Sequence, residues 1–287
     1  MATIVVKDAN LTDREYNVDG AGTSAIPYRN ITADFYAEVR KGNVPKHSIV
    51  QKFGAVDNVT TAITPVTTSK TYQTPTAPVA LELVSTDNTN DVAGGSGARS
   101  ITLEGLSNTN GAWTFESQTV ALNGTTAVAV PNSMLRVYRM YVASSGSYAA
   151  AGTPSHNSTI TLQVASAGAA WGVITSESSF GLGQSEIAVY SVAAGETAYM
   201  LNKSIAIEGT KSANVFLFVR EGADTVAAPF TPMRVKEVER NLDQLQARKG
   251  NAPLVKVVGP ADVGFMAQST STTTDVSIDF ELLIVED

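Results

Sequence analysis

From residue 79 to the C-terminus the sequence is a succession of short runs of alternating apolar and polar residues, each closed by turn residues. No other feature restricts the fold so strongly. VALELVS (79–85), SITLEGL (100–106), WTFESQTVAL (113–122), TAVAVP (126–131), LRVYRMYV (135–142) and STITLQVA (158–165) come first. WGVIT (171–175), SEIAVYSV (185–192), AYMLNKSIAIEG (198–209), NVFLFVRE (214–221), PLVKVVG (253–259) and DVSIDFELLIVED (275–287) follow. Ser107-Asn108, Asn123-Gly124, Ser145-Gly146, Ala194-Gly195 and Gly209-Thr210 punctuate them. Many short strands at such spacing predict an all-β fold, an antiparallel β-sandwich or jelly roll. Composition agrees: charged residues are 16% of the chain, below the roughly 25% usual in soluble domains, so the Glu and Lys that coat helices are scarce.

Within these runs the side-chain period is two. Ile160, Leu162 and Val164 share one face, as do Val276, Ile278, Phe280, Leu282 and Ile284. NVFLFVRE and the final residues Leu283 and Val285 are apolar on both faces, which requires a cover on each side. LRVYRMYV is more ambiguous, because interleaved basic and aromatic residues can also form a platform for nucleic acid. Alternation, however, puts Leu135, Val137, Arg139 and Tyr141 on one face and Arg136, Tyr138, Met140 and Val142 on the other. One arginine per face predicts a strand covered twice, with each arginine paired to a carboxylate on a neighbouring strand or subunit. VERNLDQLQARK (238–249), with Val238, Leu242 and Leu245 on one side, reads as a helix or an exposed loop.

Residues 1–75 differ. Their apolar residues come in separated bursts, Ile4-Val5-Val6, Ile26-Pro27-Tyr28, Phe35-Tyr36, Ile49-Val50 and Phe53. Ile31, Phe35 and Val39 are spaced for one short helix. Such a segment buries little by itself, so it is either an N-terminal arm lying on another surface or a hairpin of its own. We take residues 1–75 as an arm and residues 76–287 as the β-sandwich domain.

The formal net charge of −7 with no run of Lys and Arg argues against nucleic acid as a partner, which demands a basic surface. Cysteine is absent, which removes disulfides, thiolate metal sites and a cysteine nucleophile. The N-terminus has no cationic start followed by an apolar core, so no signal peptide is expected, and no apolar run approaches the ~20 residues of a membrane helix. With two histidines, a zinc site is not expected. His156, among small polar residues, reads as an exposed turn residue. GGSGA around Ser96 and GQSEI around Ser185 each lack a nucleophile-elbow glycine. Asp87, Thr89 and Asp91 have alternating ligand spacing, but an EF-hand would need Gly and Glu where Val92 and Ala98 stand. A looser calcium site between β loops stays open beside a plain polar hairpin loop. We expect no enzyme, no cofactor and no metal centre.

Particular phrases then carry a resemblance: HSIVQKFG (47–54), GSGARSITLEGL (95–106), LNGTTAVAV (122–130), LRVYRMYV, GQSEIAVYSVAAGETAYM (183–200) and ADVGFMAQSTSTTTDVSIDFELLIVED (261–287). In this order, from about residue 35 to the end, they resemble a family of virion structural proteins of tailed bacteriophages, many from marine phages. The resemblance implies a capsid decoration or cement protein on the outer surface of the virion. Such a protein would be a dimer or trimer that binds the major capsid protein, with neither nucleic acid nor membrane as partner. The alternative is a neck, tail or fibre-base protein with host-receptor contacts. Aromatic and basic side chains anchor interfaces disproportionately, so Tyr28, Phe35, Tyr36, His47 and Phe53 are the expected partner contacts.

Overall fold

A computed structural model of the chain describes residues 2–7, 13–19, 29–30, 35–107, 113–147, 154–176, 183–225, 227–243, 246–249 and 253–287. It is 56% strand and 3% helix, and its sheets are antiparallel. The all-β expectation therefore holds. By contact density the chain divides into two units, Met1–Ser48 and Ile49–Asp287.

In the first unit β1 (Ala2–Lys7) pairs antiparallel with β2 (Asp13–Asp19), from Ala2 opposite Val18 to Lys7 opposite Asp13, and β2 pairs with β3 (Arg29–Asn30). The short helix α1 (Phe35–Arg40) follows. Glu38 accepts hydrogen bonds from Lys41 Nζ (2.7 Å) and Asn43 Nδ2 (2.6 Å), and Gly42 turns the chain away at φ +75°. A left-handed residue is what a helix C-terminus takes.

The second unit contains two sandwiches, one inserted in the chain of the other. β4 (His47–Val59) and β5 (Thr64–Pro65) precede the insertion. Next come β6 (Leu81–Ser85), β7 (Ala98–Ser107), β8 (Thr114–Ala121), β9 (Val128–Ala129), β10 (Arg136–Ser145), β11 (Ile160–Val164) and β12 (Ala170–Ile174). They form two sheets, β10-β7-β8 and β12-β11-β6-β9. Leu83, Leu103, Met140 and Leu162, drawn from both sheets, pack in one cluster with Trp171.

The second sandwich resumes with β13 (Val189–Val192), β14 (Glu196–Ile207), β15 (Ala213–Glu221), β16 (Arg234–Leu242), β17 (Gln246–Lys249), β18 (Val255–Val258), β19 (Ala261–Ser269) and β20 (Thr274–Glu286). Its sheets run β13-β19-β15-β16, with β5 on β19, and β17-β14-β20-β4, with β18 on β14. Leu217, Phe265, Met200 and Phe280 meet in its core, where the Phe265 and Phe280 rings lie 5.3 Å apart. Residues 49–75, placed with the arm by sequence, lie in this unit: β4 and β5 belong to its two sheets, and Val56, Val59 and Val66 are buried.

Of the strands apolar on both faces, β15 is covered twice: it sends Val215, Leu217 and Val219 into the core and Phe218 into a second cluster with Ile187, Val189 and Met266. β20 puts Val276, Ile278, Phe280, Leu282 and Ile284 into the core, while on its other face Leu283 is buried and Val285 half-buried. β19 is a core strand that sequence reading missed: ADVGFMAQS lacks alternation because it is buried along nearly its whole length. At Gly264 an added Cβ would lie 2.7 Å from the Ala188 carbonyl oxygen.

Two further expectations are corrected. In the segment 238–249, read as a helix or loop, residues 238–242 are strand in β16 and 246–249 are β17. In LRVYRMYV, register shifts between Val137 and Arg139, so strict alternation fails. Leu135 and Tyr138 enter the large core, whereas Val137 and Met140 enter the core of the inserted sandwich. The bulge re-aims the strand so that it serves two cores.

Candidate functional site

Of the five expected contact residues, Tyr28 lies outside the described residues. Phe35 and Tyr36, 45% and 41% exposed, begin α1, whose Val39 is buried. The Phe35 ring meets Tyr36 edge-on at 5.5 Å and His47 at 5.8 Å, and His47 Nδ1 is 2.8 Å from the Pro45 carbonyl oxygen. These three rings form one aromatic cluster, apolar and partly open to solvent. Hydrogen bonds from Asn43 and then Lys41 hold the Glu38 carboxyl below its ordinary pKa.

Phe53, the fifth, is half-buried on β4 in the second unit. With Gln51, Lys52, Arg139, Gln184 and Ser185 it lines a cleft of about 310 Å³. Lys52 is buried, donates to the Tyr138 carbonyl and sits 5.4 Å from the centre of that tyrosine's ring. Burial pushes its pKa well below the ordinary lysine value; Arg139 pushes the same way and Glu104 opposes. Arg139 donates to the Gln51 carbonyl at 2.6 Å and lies 3.5 Å from Glu104 Oε2. Ser185 Oγ accepts the Met140 N–H at 2.9 Å. Lys52, Arg139 and Ser185 each tie one segment of the chain to another, and the serine has neither a histidine nor a carboxylate beside it in the cleft lining.

The acidic loop works the same way. Asp91 is fully buried. Its Oδ1 accepts the N–H groups of Ala98 and Asn157, both at 2.9 Å, and its Oδ2 accepts Ser85 Oγ (2.8 Å) and Ser158 N–H (3.0 Å). Asp87 accepts the N–H groups of Thr89 and Asn90 and the side chains of Asn90 and Asn157. These bonds, those of Asn90 first, hold its carboxyl far below the ordinary range. The acids thus bind the 154–158 loop to the sandwich. That pull buries His156, read from sequence as exposed. It is 3% exposed, with Nε2 2.8 Å from the Thr175 carbonyl oxygen.

The most enclosed ionic contact joins the two sandwiches. Arg136, on β10 of the inserted one, donates Nε to Asp262 Oδ1 at 2.9 Å and Nη2 to Oδ2 at 3.0 Å, with Asp262 on β19 of the other. Its Nη1 reaches the Leu135 and Pro75 carbonyls, and its guanidinium lies 4.7 Å from the centre of the Trp113 ring. Ser191 Oγ also donates to Asp262, at 2.5 Å, and stands 2.7 Å from the Tyr72 hydroxyl. Both arginines of LRVYRMYV therefore meet a carboxylate on a neighbouring strand: Arg136 meets Asp262 and Arg139 meets Glu104 on β7. No sequence signal singled out Asp262.

Sequence reading also missed the outer edge of β16. Val235 and Val238 on it, and Phe230 and Met233 just before it, are exposed, and the buried Lys203 bridges Glu237 (2.9 Å) and Glu239 (3.1 Å).

No protein-family model matches the sequence, and neither does any curated protein sequence. Among solved structures, the chain aligns with the PBSX exported protein XepA at 9% identity, over 97% of this chain and 98% of that one, with a TM-score of 0.17. It aligns with a structure of infectious bursal disease virus, Gt strain, at 8% identity over 88% of each chain, with a TM-score of 0.13. T=1 particles derived from infectious bursal virus align at 8% identity over 84% of this chain and 78% of that chain, again at 0.13. Scores this low establish no shared fold.

Proposed function

We propose that this chain is a structural protein of a tailed-phage virion, and within it a capsid decoration protein that acts through surfaces rather than through a reaction. The observation that supports this best is where its polar chemistry lies. Buried Arg136, Asp262, Asp91, Lys52 and Lys203 each bond to a neighbouring strand or loop, while α1 and the β16 edge present apolar side chains to solvent. A protein assembled in many copies needs that division: internal staples that keep each copy rigid, and outward apolar anchors that bind a neighbour. The ordered phrases from about residue 35 onward supply the virion assignment. On this reading Phe35, Tyr36 and His47 form the anchor that meets the major capsid protein.

Cryo-electron microscopy of the intact particle with quantitative mass spectrometry tests the proposal. Hundreds of copies spread over the shell are expected. A handful of copies confined to a symmetric ring at the neck or tail would refute decoration and leave a structural role at that ring. Absence from the particle would refute the virion role altogether.

A further inference from the structure

β16 ends its sheet: it pairs with β15 on one side, and no strand among the described residues takes the other. An open edge offers a row of free N–H and C=O groups. Here the side chains along it read Arg234-Val235-Lys236-Glu237-Val238-Glu239. Laid antiparallel on a second copy of itself, this segment sets Arg234 opposite Glu239, Val235 opposite Val238 and Lys236 opposite Glu237. Two-fold symmetry repeats each match. Shifting by one residue, so that Glu237 faces itself, sets Arg234 against Arg240 and Val235 against Glu239.

A regular strand forbids the favourable register. Residues directly opposite must point to the same face, yet positions five apart, such as 234 and 239, point to opposite faces when the period is two. β16 is not regular. Its register with β15 slips between Val235, opposite Phe218, and Glu237, opposite Leu217, so that Lys236 is an extra residue. Arg234, Glu237 and Glu239 consequently lie opposite Val219, Leu217 and Val215 on the inner face. Val235 and Val238 lie opposite Phe218 and Phe216 on the outer face. The bulge thus brings Arg234 with Glu239, and Val235 with Val238, each onto a common face.

The surroundings favour the same occupant. Val235 and Val238 are 46% and 37% exposed, an apolar pair open to solvent. Lys203 binds Glu237 and Glu239, and Arg234 forms no ion pair with a carboxylate among the described residues. The two-fold pairing brings that arginine to that cluster. Bulges and charges can also guard an edge against pairing, but here the charges that pairing brings together are unlike and offset one another.

We propose that β16 is a homotypic docking edge: two copies pair β16 to β16, antiparallel, about an axis between Lys236 and Glu237, extending one sheet through both. This gives the self-association in the functional proposal a surface, and the two fail separately. Oligomeric state is read on the purified protein, whereas location is read on the particle.

The chain has no cysteine, so register can be tested by cross-linking. Val235→Cys and Val238→Cys, each at an exposed position, are mixed in equal amounts and oxidised. The mixture is expected to form a disulfide-linked dimer, and each variant alone is not. Sedimentation of the wild type should show a concentration-dependent dimer, weakened at least about tenfold in Arg234→Glu/Lys236→Glu, where four attractive pairs become repulsive. A wild type that stays monomeric at high concentration overturns the proposal. So does Val235→Cys or Val238→Cys cross-linking alone as well as in the mixture.

Discussion

Replacing Asp262 with alanine removes both oxygens that Arg136 Nε and Nη2 hold at 2.9 and 3.0 Å. The guanidinium is fully buried between the sandwiches. No other acceptor among the described residues then faces Nε and Nη2, because the backbone carbonyls of Leu135 and Pro75 occupy only Nη1. Leaving a buried charge unpaired costs about 3–5 kcal/mol. Ser191 loses an acceptor as well, which adds to the upper end of that range. For a unit of this size each kcal/mol lowers Tm by roughly 2–4 °C, so a fall of about 6–20 °C is expected. Differential scanning calorimetry and urea denaturation measure it. The companion experiment separates pairing from packing. Arg136→Met with Asp262→Leu removes both charges and keeps most of the volume, and should recover most of the loss. The reasoning is refuted if Asp262→Ala costs less than about 1 kcal/mol, within the range of an exposed pair. It is refuted equally if the double variant is as unstable as the two single changes added together, which would mean that the partners are not coupled.

Three further outcomes follow from the geometry. Lys52, held below its ordinary pKa chiefly by burial, binds fewer protons folded than unfolded between its depressed pKa and about 10.4. Stability should therefore rise with pH across that window, and the Tm advantage of Lys52→Met over the wild type should shrink between neutral pH and about 9.5. Asp91→Ala leaves four donors without their acceptor and should cost at least about 2 kcal/mol by urea denaturation, whereas adding calcium or EDTA to the wild type should leave Tm unmoved. At Gly105 an added Cβ would stand 1.9 Å from the Arg136 carbonyl oxygen, across the β7–β10 ladder. Gly105→Ala should lower Tm by more than the ~1 kcal/mol equivalent of an ordinary strand substitution, and local amide exchange in β7 and β10 should quicken with it.

Much of the fold was legible because it rests on local pattern. The alternating runs became strands, and the two-sided run in β15 became a strand with a cover on each face. The misreadings have physical causes. β19 was missed because a strand buried along nearly its whole length has no alternation to detect. The segment around Val238 looked helical because bulges near Lys236 and Asn241 stretch the apolar spacing of β16 from two residues toward three and four. Asn241 itself takes a positive φ of 54°. The chain's order also hid that an entire sandwich is inserted between β5 and β13, since each half reads alike in sequence.

The interaction residues divide along the same line. Phe35, Tyr36 and His47 were identifiable by type, and the structure clusters their rings, while Phe53 lines a separate cleft. By itself the sequence determined the class of fold, the faces of most strands, and that the arginines of LRVYRMYV would each need a carboxylate, because alternation and the cost of burying charge act locally. Only the tertiary structure decided which carboxylates those are, that a bulge at Tyr138 splits the strand between two cores, and that a bulge at Lys236 turns an edge into a self-complementary surface. Those outcomes depend on pairing between residues distant in the chain, on which local pattern carries no information.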